Sequence, residues 1–193
     1  MSLPIGVLAL QGDFREHGAA LDQIGVPHLK VRTVKELESV SGLIIPGGES
    51  TVMHKLSVAY GLFEPIRAKI KAGLPVFGTC AGLIMLADHI EDGIVGQETF
   101  GGLDVTVQRN AFGHQVDSFE VDLDFVGIND GPVHAVFIRA PLITKVSGKA
   151  KVVAELPAGG IVGVQQDNLL GISFHPEVTG EYRIHRLFAE LAK

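Results

Sequence analysis

Leu74-Pro75-Val76-Phe77-Gly78-Thr79-Cys80-Ala81-Gly82-Leu83-Ile84-Met85-Leu86-Ala87 is the stretch on which the reading of this chain turns. Leu74 to Phe77 is an apolar run that reads as a buried strand, and Leu83 to Ala87 reads as a helical run. Between them, Gly-x-Cys-x-Gly is the pattern of a nucleophile elbow, with Cys80 in the place of the more usual serine. Such a turn crowds the backbone, and Gly78 and Gly82 relieve the clash. Cys80 is then expected at a helix N-terminus, where backbone N–H groups and the helix dipole stabilise a thiolate. The N–H of Ala81 is placed to face an oxyanion formed at Cys80. A lone cysteine is more often a small buried apolar residue, so a catalytic reading needs partners elsewhere in the chain.

The same rhythm extends toward the N-terminus. Ile5 to Leu10 is a continuous apolar run broken by Gln11-Gly12-Asp13, and Phe14 to Ile24 follows with near-helical spacing. Val26 to Val31 reads as a second strand. Thr33 and Glu36 have the spacing of a capping box for a short helix through Val40. Leu43-Ile44-Ile45 is a third strand, stopped by Pro46-Gly47-Gly48, after which Ser50 is expected to cap a helix; Leu62 to Ala72 is a further one. Continuous apolar strands alternating with helices imply right-handed βαβ units in a parallel sheet covered on both faces.

The second half reads differently. Leu103 to Val107 and Phe119 to Phe125 alternate apolar and polar residues. Val133 to Ile138, Lys151 to Leu156, Ile161 to Gln165 and Leu169 to Phe174 are further strand candidates, before a closing helix over Tyr182 to Ala192. The expected fold is α/β: a three-layer, open, mostly parallel sheet with flanking helices and an added antiparallel or mixed region. No repeat, low-complexity tract or linker interrupts it, so residues 1–193 read as one domain.

Composition narrows the class. The 193 residues are 46% hydrophobic and 20% charged, which excludes disorder. Sixteen Lys and Arg against 22 Asp and Glu leave a formal charge of -6, which argues against nucleic acid or an anionic membrane as main partner. With one Cys there is no disulfide framework and no cysteine zinc site, and a lone thiol fits a reducing compartment. Met1-Ser2-Leu3-Pro4 lacks the features of a secretory signal. The longest uncharged run, 16 residues between Lys71 and Asp88, is too short and broken to span a bilayer. A cytoplasmic location is expected. The 24 glycines, well above the usual ~7%, suggest many tight turns and close backbone approaches.

A cysteine nucleophile needs a base, and Ser173-Phe174-His175-Pro176-Glu177 supplies the best candidate. His175 and Glu177 are two apart in a segment expected to be extended, which would point both side chains the same way. A carboxylate accepting from Nδ1 leaves Nε2 free to face the thiol, the logic of a Cys-His-Glu triad. A His-Pro-Glu taken alone reads as a surface turn. Pro46-Gly47-Gly48-Glu49-Ser50 follows a strand, and its glycines can turn backbone N–H groups into a pocket as a second oxyanion donor. It lacks the Gly-Lys-Ser/Thr of a phosphate loop. All three motifs fall at C-terminal ends of predicted strands, where sites form in open α/β sheets.

Together these motifs resemble the class I, triad-type glutamine amidotransferases. Further blocks resemble the glutaminase-subunit family of pyridoxal 5′-phosphate synthases: Leu8-Ala9-Leu10-Gln11-Gly12, Leu43 to Thr51, Phe77 to Ile84, Arg109-Asn110-Ala111-Phe112-Gly113, Gln115-Val116-Asp117-Ser118-Phe119-Glu120, Val136-Phe137-Ile138-Arg139-Ala140-Pro141 and Ser173 to Glu177. They span nearly the whole chain. The resemblance implies hydrolysis of L-glutamine to glutamate and ammonia through a Cys80 thioester, with His175 as acid and base and Glu177 orienting it. It implies an oxyanion hole from backbone N–H groups near Gly48 and at Ala81. It implies glutamine binding by Gly47, Gly48, Glu49, Arg109, Ile138 and Arg139, with no metal and no cofactor. It also implies a partner, a (β/α)₈-barrel synthase that takes the ammonia along a shielded path, since ammonia in neutral water is mostly protonated and no longer nucleophilic. The glycine loop at Gly47-Gly48 is expected to be incompletely formed without that partner. The sequence departs from the family at His114, where Arg is usual, and at Val178, where Leu is common.

Two readings from other classes stay open on the residues alone: a thiol hydrolase or peptidase of related fold, and a non-catalytic amidotransferase-like scaffold. His17, His28, His54, His89, His114, His134 and His185 show no metal-ligand spacing and read as surface or interface residues, with His17 a possible partner contact. Asp122 and Asp124 read as a solvated strand face, and Lys35, Glu36 and Glu38 as exposed helix charges.

Overall fold

A computed structural model describes residues 3–109 and 118–193. The first half alternates strands and helices: β1 (Ile5–Leu8), α1 (Phe14–Gln23), β2 (His28–Val31), α2 (Val34–Leu37), β3 (Gly42–Ile45), α3 (Ser50–Ala59), α4 (Phe63–Lys71), β4 (Val76–Thr79) and α5 (Ala81–Leu86). The second half is mostly strand: β5 (Ala87–Glu91), β6 (Leu103–Gln108), β7 (Ser118–Leu123), β8 (Val133–Ile138), β9 (Leu142–Val146), β10 (Lys151–Glu155), β11 (Ile161–Gln166) and β12 (Leu169–Ile172). Helices α6 (Pro176–Thr179) and α7 (Arg183–Leu191) close the chain.

The large sheet runs β2-β1-β3-β4-β12-β11-β9-β6-β5, with β10 paired to β11. Its β2-β1-β3-β4-β12 portion is parallel throughout. Antiparallel pairs β12–β11, β11–β9 and β9–β6 extend it, and β5 joins β6 in parallel. Strands β7 and β8 form a separate antiparallel pair. The expected open, mostly parallel sheet with an added mixed region is therefore present.

Successive strand residues feed opposite faces, as the period of two requires. Leu43, Ile45 and Val76 pack on one side with Met53 of α3, Ile66 and Ile70 of α4, and Leu83 of α5. Ile44 and Phe77 pack on the other with Leu21 of α1, Ile184 and Phe188 of α7, and Phe137 of β8. Because each strand is apolar toward both layers, its sequence is continuously hydrophobic rather than alternating.

Four local expectations differ from the structure. Ser50 is inside α3, not its cap; Glu49 caps it, its carboxylate accepting from the N–H groups of Thr51 and Val52. The helical run from Leu83 ends at Leu86, and Ala87 to Glu91 turns into a strand because β6 offers it a pairing edge. Leu142 to Val146, absent from the strand candidates, is a strand between β6 and β11. The segment after β12 does not stay extended: Pro176 opens the short helix α6.

The elbow is built by close approach. Cys80 has φ 50° and ψ -104°, outside the ordinary α and β regions. Its N–H donates to the Ile172 carbonyl of β12 at 2.9 Å, and its carbonyl accepts from the Ile84 N–H at 3.2 Å, starting α5 at once. A Cβ on Gly82 would lie 2.0 Å from the Ile45 carbonyl oxygen, and one on Gly78 would lie 2.5 Å from the Gly82 backbone. Only hydrogen fits at either place. Gly82→Ala is expected to lower stability in urea unfolding by about 2 kcal/mol or more, the scale of overpacking against rigid backbone.

Candidate active site

Strands β3, β4 and β12 are adjacent and parallel, so their C-terminal ends lie side by side. They carry Pro46-Gly47-Gly48, Cys80 and His175 respectively. This is the crevice in which ligands bind in open α/β sheets. Cys80 is buried, 7% exposed, at the start of α5.

His175 stands between Cys80 and Glu177. Its Nδ1 lies 2.7 Å from Glu177 Oε1, and its backbone N–H donates to the Val136 carbonyl of β8 at 3.0 Å. The two side chains do not align along a strand, as the spacing suggested. His175 precedes α6 and Glu177 lies in its first turn, so they meet across the helix start. Burial disfavours an imidazolium here, but hydrogen bonds with Cys80 and Glu177, and their charges, outweigh it and push His175 up to about 10. Burial also raises the Glu177 carboxyl, opposed by its hydrogen bond and charge interaction with His175.

The Gly47-Gly48 loop fits tightly around this centre. A Cβ on Gly47 would lie 2.4 Å from His175 Cε1, and one on Gly48 would lie 2.5 Å from the Gln11 amide. Gly48 has φ +145°, open to glycine and strained for other residues. The Gly47 carbonyl accepts from the Asp13 N–H at 3.1 Å, and the Glu49 N–H donates to Gln11 Oε1 at 3.1 Å. The first strand's turn therefore braces the loop of the third.

Of the residues assigned to glutamine, Glu49 and Arg109 are joined directly. Arg109 Nη2 donates to Glu49 Oε1 at 2.8 Å, and Nη1 donates to Gln97 Oε1 at 3.1 Å. Burial works against an ionised Glu49, but hydrogen bonds from Thr51 and Val52 and the Arg109 charge hold its carboxyl below its ordinary value. Ile138 ends β8, the strand whose Val136 carbonyl holds His175, and Arg139 follows it directly. Both are exposed, and Arg139 has the strained φ of 45°. The Asn110 to Asp117 part of the family blocks, including His114, lies outside the described residues.

The structure adds Asp13, His17 and His185 to the surroundings of this centre, roles that the sequence did not assign to them. Asp13 Oδ2 is 3.5 Å from His175 Nδ1. Gln11 and Asp13 follow a predicted strand as the other motifs do, and that placement was their available signal. His17 and His185 are not surface residues: both are fully buried, and His17 Nδ1 lies 2.9 Å from His185 Nε2. Helical spacing alone gave no sign that α1 and α7 would bring them together. Asp13, His175 and Glu177 bring donor atoms within 4.8 Å of one another, as a cation would need. His175 Nδ1 already engages Glu177 there, at 2.7 Å.

A cysteine at a strand–helix elbow, backed by a histidine and a glutamate at the edge of an open, mostly parallel sheet, is the arrangement expected of a glutamine amidotransferase, and the comparisons with known proteins place the chain in that class. A crystal structure titled as a glutamine amidotransferase superposes with a TM-score of 0.91 at 48% identity, covering 97% of this chain and 98% of that one. PurLQS of Thermotoga maritima shares the fold at a TM-score of 0.72 and 17% identity, covering all of both chains. The chain belongs to the SNO glutamine amidotransferase family, whose model matches residues 7–193. The pyridoxal 5'-phosphate synthase subunit PdxT of Leifsonia xyli subsp. xyli is 58% identical over 184 residues, covering 95% of this chain and 93% of the relative. That of Streptomyces coelicolor is 53% identical over 189 residues, covering 98% and 93%.

The buried histidines make stability depend on pH. Burial lowers His185 from 6.5 to about 4, and burial with the neighbouring His185 and His175 lowers His17 well below 6.5. Below pH 6.5 the unfolded chain binds protons that these folded-state rings refuse, so stability falls as pH drops toward about 4. Each such ring contributes a slope of about 1.4 kcal/mol per pH unit. Urea midpoints of wild type and His185→Gln across this range are expected to converge on acidification, because the variant lacks one of the two titrations.

Proposed function

We propose that this chain, working as one domain, hydrolyses L-glutamine with Cys80, His175 and Glu177 and passes the ammonia to a (β/α)₈-barrel synthase that makes pyridoxal 5′-phosphate. The observation that carries the reading is the meeting of these three side chains at the ends of β4 and β12, beside the glycine loop of β3, in a member of a glutamine amidotransferase family. The relatives' name, subunit of pyridoxal 5'-phosphate synthase, supports the partner and the destination of the ammonia.

The Cys80 sulfur attacks the side-chain amide carbon of glutamine, and the carbonyl oxygen becomes an oxyanion. Backbone N–H groups at Ala81 and near Gly48 receive it; losing one such donor typically costs ~10²–10³ in rate. His175 carries the proton that the departing nitrogen needs, and ammonia leaves a γ-glutamyl thioester on Cys80. The imidazole then takes a proton from water, which attacks the thioester and frees glutamate and the thiolate. Glu177 holds the ring so that Nε2 faces the sulfur and stabilises its positive charge. The protein supplies this chemistry without a cofactor.

Gly47, Gly48, Glu49, Arg109, Ile138 and Arg139 form the glutamine site in this reading. An arginine suits the α-carboxylate, because its fork makes two parallel hydrogen bonds. Arg109, already on a carboxylate at Glu49, is the group best placed for this exchange. The Gly47 carbonyl is tied to Asp13, and completion of the oxyanion hole is assigned to docking of the synthase. A cytoplasmic location completes the reading; no helix among the described residues is long and apolar enough to cross a membrane.

Glutamate release from glutamine tests this. It is expected to rise with the synthase present and to vanish in Cys80→Ala. Equal rates with and without the synthase would remove the partner-dependent oxyanion hole, and no release from folded protein in either condition would remove the glutaminase. Arg109→Lys is expected to raise KM roughly tenfold with little change in kcat, since a point charge replaces a bidentate fork.

A further inference from the structure

Behind the Cys80–His175–Glu177 set lies a second layer of polar side chains that the reaction steps do not use. His17 of α1 is fully buried, with Nε2 3.0 Å from Thr79 Oγ1 and 3.6 Å from Glu177 Oε1. Thr79 is the residue before the nucleophile. One ring thus touches both the strand that presents Cys80 and the carboxylate that orients His175. On its other side His17 Nδ1 lies 2.9 Å from His185 Nε2 of α7.

The proton arrangement follows from the partners. If His17 carried its proton on Nδ1, its Nε2 lone pair would face the Glu177 carboxylate, and His185 would hold a buried N–H on Nδ1, which has no partner. An unpaired buried donor and a lone pair against a carboxylate are both costly. In the alternative, His185 Nε2–H donates to His17 Nδ1, and His17 Nε2–H points at Thr79 Oγ1 and Glu177 Oε1. His185 Nδ1 is then only an unpaired acceptor. This arrangement is the better one, and it requires both rings neutral; burial, first of all, lowers the pKa of both.

Glu177 needs the help. Its Oε2 is buried without a hydrogen-bond partner, and apart from its own backbone N–H the group that donates to its carboxylate is the His175 ring that it must orient. Beyond that local backbone contact, the carboxylate has no anchor on another element except the ring it positions. We propose that His17, with its tautomer set by His185, is a positioning residue that directs an N–H toward Glu177 and Thr79 and so fixes the carboxylate, and through it the His175 ring, relative to Cys80. Among the described residues, the charged and titratable groups that face this pair are these. Glu177 and His175 face His17 from the α6 side, Asp13 approaches the same His175 Nδ1 that engages Glu177, and the Tyr182 ring lies 6.4 Å from that of His185.

This role rests on the glutaminase reading, and two readouts separate them. The first is glutamate release by the full chain with its synthase. The second is alkylation by iodoacetamide against pH, which reports the cysteine–imidazole pair without glutamine and is unambiguous because the chain has one cysteine. His17→Phe is expected to lower kcat roughly 10–100-fold, the range for outer partners that orient a histidine, with KM nearly unchanged. Its alkylation near neutral pH is expected to slow relative to the alkaline limb. His17→Gln, which can place an amide N–H where Nε2–H stands, is expected to recover most of both; His17→Asn, whose shorter amide mimics Nδ1, is not. If His17→Phe fails to fold, the Gln and Asn variants decide. Equal kcat and equal alkylation profiles for Gln and Asn would overturn the proposal, as would wild-type kcat and alkylation in a folded His17→Phe. Absence of glutamate release in wild type would defeat the glutaminase reading, while the alkylation profiles would still judge His17.

Discussion

The fit of Gly82 against the Ile45 carbonyl is the constraint on which the site depends. A hydrogen is all that separates the start of α5 from the end of β3, since a Cβ there would sit 2.0 Å from the carbonyl oxygen. That closeness lets the chain leave β4, turn at Cys80 and enter a helix within one residue. The turn holds the cysteine at a backbone conformation that costs on the order of 1–3 kcal/mol. It persists because the Cys80 N–H is bonded to β12 and its carbonyl to α5. Strain at Cys80 is thus held by a buried part of the sheet.

The order of the strands does the rest. With β3, β4 and β12 adjacent and parallel, a glycine loop, a cysteine and a histidine that are far apart in sequence arrive at one edge. The added mixed strands contribute beyond filling space: β8 holds the His175 backbone through the Val136 carbonyl and carries Ile138 at its end, with Arg139 directly after it. A rigid sheet is a good support for such a site, because catalytic geometry tolerates errors of only about half an ångström.

Much of this was legible along the chain. The continuous apolar runs at Ile5, Leu43 and Val76 identify strands covered on both faces, and the Gly-Thr-Cys-Ala-Gly turn identifies the elbow. Other features were not. The segment from His175 to Glu177 has the spacing of paired strand residues, yet a proline at the first helical position turns it into a helix, and the two side chains meet by a different route. Glu49 takes the cap that local preference assigns to Ser50, since a carboxylate there can also engage Arg109 from β6's end. Ala87 to Glu91 continues an apolar helical run and becomes a strand because a sheet edge is within reach.

The sequence by itself determined the fold class, the elbow and the types of side chain available for chemistry, because these depend on periodicity, glycine placement and short spacings. Only the tertiary structure decided which histidines matter. His175 and seven others are alike as letters, and nothing local distinguishes a ring that will be exposed from one that will be enclosed. His17 on the first long helix and His185 on the last are 168 residues apart and become a hydrogen-bonded pair because both helices pack on the same face of the sheet. Burial then denies them charge and leaves them as fixed, neutral donors and acceptors behind Glu177. Such a contact between distant segments has no signature in either segment alone.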